Sequence, residues 1–131
     1  MAAGDIKGDE AIVEVLTGGD TITKGNLCHY ESGGKYLKCA DADVGPFAVA
    51  IEATTDAVEG RFVTEGPVEV VYAGAASTVK RGTPLMASIT GYPAGSVTIA
   101  DTLASPQEVC GTAAEPMDTS GNTYTMWLGR R

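Results

Sequence analysis

One stretch constrains this chain more than any other. Residues 45–66 read as strand, turn, strand: an extended apolar run at 47–51, a polar turn at 54–60 and a returning strand at 61–65. Residues 111–129 repeat the pattern. Laid over each other without a gap, Ala50 falls on Ala113, Glu52 on Glu115 and Gly66 on Gly129. In an extended run, alternate side chains point to opposite faces. Phe47, Val49 and Ile51 therefore share one face, with Ala48, Ala50 and Glu52 on the other. The small Ala48 and Ala50 predict close approach of another sheet or another chain.

A second echo supports duplication. Thr21-Ile22-Thr23-Lys24-Gly25 returns as Thr78-Val79-Lys80-Arg81-Gly82, each a Thr-aliphatic pair leading to a basic residue and Gly. The two echoes occur in the same order. Their spacings differ, 57 residues from Gly25 to Gly82 and 63 from Ala50 to Ala113, so the units carry unequal insertions. Independent use of the same turn chemistry is the alternative.

The remaining segments are also short and strand-like. Residues 10–16 alternate, with Ala11, Val13 and Val15 on one face and Glu10, Ile12, Glu14 and Leu16 on the other. Gly33-Gly34 suits a primed hairpin turn, and 35–40 return as a strand. Gly66-Pro67 makes a corner before 68–72, where Val68, Val70 and Tyr72 align. Strands are expected at 86–90 and 97–100, and an irregular piece at 102–107. No stretch sustains a 3.6-residue period. Short strands with turns between them predict an all-β fold, a compact barrel or sandwich containing two similar hairpins. Ala, Val and Thr dominate the apolar content, and the 17 glycines supply turns. At 131 residues a single domain is expected over 10–131, preceded by a flexible N-terminal arm at 1–9.

The formal net charge is −8, which repels phosphate and argues against direct nucleic-acid binding. The N-terminus lacks the basic-then-apolar pattern of a secretion signal. No apolar run approaches the ~20 residues of a membrane span. The expectation is a soluble protein made in a cytoplasm, with no membrane partner. The odd set Cys28, Cys39 and Cys110 argues against a disulfide framework.

Chemistry-bearing residues are few. His29 is the one histidine, beside Cys28, but adjacent strand residues point to opposite faces and do not readily serve one site. Zinc wants about four ligands, and the set falls short. Lys24-Gly25 and Lys80-Arg81-Gly82 lack the P-loop spacing and its helix. The pairs Asp41/Asp43 and Glu65/Glu69 are expected by chance among 17 acids, and Glu52 and Glu115 read as a solvated strand face. No catalytic residue, metal or cofactor is expected. Tyr124, Met126 and Trp127 in the last strand read as core or subunit-packing residues.

The order of motifs resembles a known family. Ile-Thr-Lys-Gly at 22–25, Gly-Lys at 34–35, Cys-Ala-Asp-Ala-Asp at 39–43 and Phe-Ala-Val-Ala-Ile-Glu-Ala at 47–53 are followed by three more. These are Val-Glu-Gly at 58–60, Gly-Pro-Val-Glu-Val at 66–70 and Val-Lys-Arg-Gly-Thr-Pro-Leu at 79–85. Over residues 10–129 this is similar to the capsid decoration (cement) proteins of tailed viruses, of the DUF2190 type. The chain departs from the pattern at 91–107 and at the acidic 41–43 loop. The resemblance implies a β-tulip-like decoration protein on the outside of an icosahedral head. It would be a homotrimer at three-fold and quasi-three-fold sites that grips the major capsid protein after expansion. It also implies a capsid-binding arm, here Ala2, Ala3, Gly4, Asp5, Ile6, Lys7, Gly8 and Asp9. A head fibre, turret or glycan-binding surface module of the virion is the other reading, with loops 73–77 and 91–96 carrying the contact.

Overall fold

A computed structural model describes residues 2–6, 10–40, 43–74, 79–88, 95–100 and 105–129. The strands are β1 Ile12–Gly18, β2 Leu27–Tyr30, β3 Lys35–Lys38, β4 Phe47–Ala50, β5 Glu59–Val71, β6 Pro84–Ser88, β7 Ser96–Ile99, β8 Val109–Ala113 and β9 Thr123–Leu128. Two 3-10 turns, Ser32–Gly34 and Pro106–Glu108, precede β3 and β8. The all-β expectation holds. The strands expected at 61–65 and 68–72 are one strand, β5, which passes through Gly66 at φ 115°.

The sheet order is β1-β3-β2-β4-β5-β9-β8-β6-β7, with β1 also paired to β5. That extra pairing closes β1, β3, β2, β4 and β5 into a small barrel. A parallel bridge from Tyr72 to Val97 brings β7 beside the end of β5 and closes β5, β9, β8, β6 and β7 in the same way. β5 is therefore the last strand of the first barrel and the first strand of the second. Closure removes sheet edges that would otherwise invite pairing.

The two barrels share one hydrogen-bond plan. Gly25 N–H donates to the Ala50 carbonyl and Gly82 N–H to Ala113. Ile22 and Thr54 exchange two backbone bonds, as do Val79 and Met117. Leu27 pairs Val49 and Cys28 pairs Ala48; Pro84 pairs Thr112 and Leu85 pairs Gly111. Gly18 N–H donates to Val58 and Tyr72 N–H to Asn122. The chain is a tandem repeat, as the two sequence echoes predict. One equivalence needs correction. Ala50 pairs Phe62 while Ala113 pairs Met126, so the second return strand runs one residue further along than a gapless overlay allows. Gly129 thus matches Glu65 and not Gly66.

Each barrel has its own interior. Ile22, Cys28, Ala48, Ala50 and Phe62 fill the first, with Leu16 and Tyr36 packed against them. Ala48 and Ala50 are small because a five-stranded barrel is narrow; they do not mark the approach of a second sheet or chain. Val68, Val70, Tyr72, Leu85, Met126 and Leu128 belong to the larger core, joined by Leu27, Val49 and Val63 from the outward face of the first barrel. Burying a side chain of this size stabilises the fold by about 1.5–3 kcal/mol.

The N-terminal expectation changes most. Ala2–Ile6 is not a free arm. Gly4 N–H donates to the Glu69 carbonyl, Glu69 N–H donates to the Asp5 carbonyl, and Ile6 bridges Val68. The small residues let this segment lie close against both barrels, where backbone bonds hold it. Lys7, Gly8 and Asp9 lie outside the described residues.

Candidate functional site

Among the described residues, the side chains capable of chemistry do not converge on one site. Cys28 packs inside the first barrel, and Cys39 belongs to the other core. His29, on the opposite face from Cys28, places Nε2 3.3 Å from a Glu31 oxygen and 3.2 Å from Asp43 Oδ2. All three cysteines are free and buried. Burial pushes the thiols of Cys28 and Cys110 up to about 12 and raises that of Cys39 as well, which suppresses the nucleophilic thiolate. Among the described residues no group of three or more His, Cys, Asp or Glu is placed to hold a metal ion.

The recurring glutamates have a structural task that the sequence reading missed. Glu52 Oε2 accepts the Arg61 backbone N–H at 2.7 Å, and Glu115 Oε2 accepts that of Thr125 at 2.6 Å. Each carboxylate closes the mouth of its hairpin. Hydrogen bonds from Arg61 hold the Glu52 carboxyl below the usual carboxylate range. Asp43 accepts the Ala40 N–H, while Asp41 lies outside the described residues. Glu69 is buried and accepts the Thr125 hydroxyl.

The informative geometry lies at the joint between the barrels. Asp5 Oδ1 meets Lys24 Nζ at 2.7 Å, and this bond holds the Asp5 carboxyl below its ordinary value. A Cβ on Gly4 would stand 2.7 Å from the Gly25 nitrogen and 2.8 Å from the Ala50 carbonyl oxygen. A Cβ on Gly25, which sits at φ 94°, would overlap Ala3. The segment Ala3-Gly4-Asp5 is thus a clasp, with one side on the Lys24-Gly25 turn of the first barrel and the other on the β5 edge of the second.

The repeat shows which matching surfaces lack a clasp. Val15 lies three residues before Gly18 as Glu69 lies three before Tyr72, so Val15 is the counterpart of Glu69. Glu69 is 3% exposed and Val15 61%. On the edge away from β5, β1 pairs with β3 only at Thr17 and Gly18. Ile12 and Val13 are exposed beside Val15. The turn Lys80-Arg81-Gly82 is likewise exposed.

Of the three aromatic-strand residues, Met126 is fully buried in the second barrel, which removes it from any subunit contact. Tyr124 donates its hydroxyl to Asp118 Oδ1 at 2.8 Å and packs edge-on against Tyr72. Trp127 is part-exposed on the outward face.

No family model matches the chain, and no curated protein does. Among solved structures, the chain is similar to the N base of head fiber gp8.5 of bacteriophage phi29. The TM-score is 0.59 at 16% identity, over 91% of this chain and 94% of that one. At that identity the likeness is one of fold.

Proposed function

We propose that this chain is a structural protein of a tailed-virus particle, mounted on the outer surface of the head. The observation that carries the reading is the shared fold: nearly the whole chain superposes on nearly the whole of a phage head fiber base. The rigidity expected of two closed barrels joined through one continuous strand accords with it.

The finer reading is a homotrimer at three-fold or quasi-three-fold positions that grips the major capsid protein after expansion, as the DUF2190-type resemblance implies. A trimer engages several shell sites at once and gains avidity without further contacts per chain. The exposed apolar edge of β1, with Ile12, Val13 and Val15, is the surface proposed to meet the shell. Strand addition there supplies backbone hydrogen bonds with little demand on side-chain identity. Ala2 and Ile6 remain exposed on the docked segment and are proposed as further shell contacts. The part-exposed Trp127 is kept for subunit packing. A second reading, the base of a head fibre, is favoured by the identity of the structural neighbour; the chain would then carry a further module outward.

Co-sedimentation with expanded empty heads tests the proposal. Saturable binding is expected, weakened by Val15→Lys, which places a charge on the open edge. Binding that is unchanged by Val15→Lys would remove β1 from the contact. Absence of any binding would count against the head-surface role.

A further inference from the structure

We infer that the Lys80-Arg81-Gly82 turn is a docking site for an extended, acidic peptide segment of another polypeptide, of the small-Gly-Asp kind. The inference rests on the internal repeat and stands apart from the virion reading. In the first barrel the matching turn is already occupied. Lys24 there holds the Asp5 carboxylate at 2.7 Å, and Ala3 covers the face of Gly25. In the second barrel Arg81 stands where Lys24 stands, and Gly82 where Gly25 stands. The backbone supports are the same: Gly25 bonds to Ala50 and Gly82 to Ala113, at 2.8 and 2.7 Å, and Asn26 and Thr83 each close the turn on a residue three back. Even the left-handed backbone matches, φ 94° at Gly25 and 87° at Gly82.

The difference is occupancy. Among the described residues nothing lies within 4 Å of where a Gly82 Cβ would be, whereas Gly25 is in contact with Ala3. Lys80 and Arg81 are exposed and form no ion pair among the described residues. On a chain of net charge −8 this is a local basic point, so a free acidic segment is drawn to it. Arg81 also offers a planar fork that holds a carboxylate through two bonds, which Lys24 cannot do. The glycine sets the second requirement. A bare Gly82 lets a backbone approach closely, so the incoming residue next to the carboxylate is small, as Gly4 is next to Asp5.

The test uses the isotopically labelled full chain and a synthetic peptide of sequence Ala-Ala-Gly-Asp-Ile, a copy of residues 2–6. Saturable amide shifts at Arg81, Gly82 and Thr83 are expected, weakening as salt is raised. Replacing the peptide Asp by Asn, or Arg81→Glu in the protein, is expected to weaken binding about tenfold. Because Arg81 is exposed, an unchanged melting temperature separates lost binding from lost folding. Shifts confined to Lys24 and Gly25, showing that the peptide only displaces the resident segment, would overturn the inference. Equal binding of the Asp and Asn peptides, or no saturable shift at Gly82, would overturn it as well.

Discussion

Gly25 donates its backbone N–H to the carbonyl of Ala50 at 2.8 Å, and this bond fixes the turn on which the N-terminal segment is seated. Its repeat partner, Gly82 to Ala113 at 2.7 Å, fixes an equivalent turn that no described residue covers. The pair separates backbone cost from contact cost. Gly82→Ala meets only the left-handed φ and is expected to lose about 1 kcal/mol. Gly25→Ala meets the same φ and also displaces Ala3, so the loss is expected to be at least about 2 kcal/mol. Thermal unfolding of the two variants checks this ordering; equal losses would show that the segment does not rest on Gly25.

Deleting residues 1–6 is expected to expose the Glu69 amide, which now donates to the Asp5 carbonyl at 3.0 Å. Hydrogen exchange at Glu69 reads this directly. Protection there falls in the truncated chain, while the Gly18 amide, bonded to Val58, keeps its protection. Unchanged protection at Glu69 would contradict the docked position of the segment.

Acid stability follows from three carboxylates. A bond from Lys24 lowers Asp5, bonds from Arg61 lower Glu52, and the Tyr124 hydroxyl, then Thr119, lower Asp118. A lowered folded-state value means the contribution is complete above the ordinary carboxylate range and is lost as pH falls through the folded value. Stability is therefore expected to be flat from about pH 5 to about pH 8 and to fall below about pH 4. The triple variant Asp5→Asn, Glu52→Gln, Asp118→Asn is expected to be less stable at neutral pH and to show a shallower acid slope. Denaturant titration across pH checks both.

The thiols give the opposite sign. Burial raises all three, Cys28 and Cys110 to about 12. Their contribution is complete below the unfolded thiol value of about 8.5 and is lost as pH rises beyond it, because the unfolded chain then releases protons that the folded chain retains. Native protein is expected to resist a thiol reagent at pH 8, and guanidinium-unfolded protein to react at all three cysteines. Fast labelling of the native chain would contradict the burial.

Much of this architecture is legible in the residues, and the remainder is not for physical reasons. The paired turns at Gly25 and Gly82 are visible because tight turns demand particular residues. The strand alternation of Val68, Val70 and Tyr72 is visible because all three face one core. What alternation does not carry is closure: no local pattern says that β1 reaches β5, or that β7 reaches Tyr72. The same gap explains Ala48 and Ala50, whose small size reflects the narrow first barrel. It also explains the N-terminal segment, whose small polar residues look like a loose end until Gly4 is placed against Gly25. The hairpin role of Glu52 and Glu115 was signalled by their recurrence, but their backbone partners lie across the turn, where spacing alone does not point.

Gradient co-sedimentation of the purified chain with expanded empty heads tests the proposed attachment to the head surface. Saturable co-migration with expanded heads is expected, reduced by Val15→Lys. A chain that stays at the top of the gradient at every concentration, with its fold intact by circular dichroism, would contradict it.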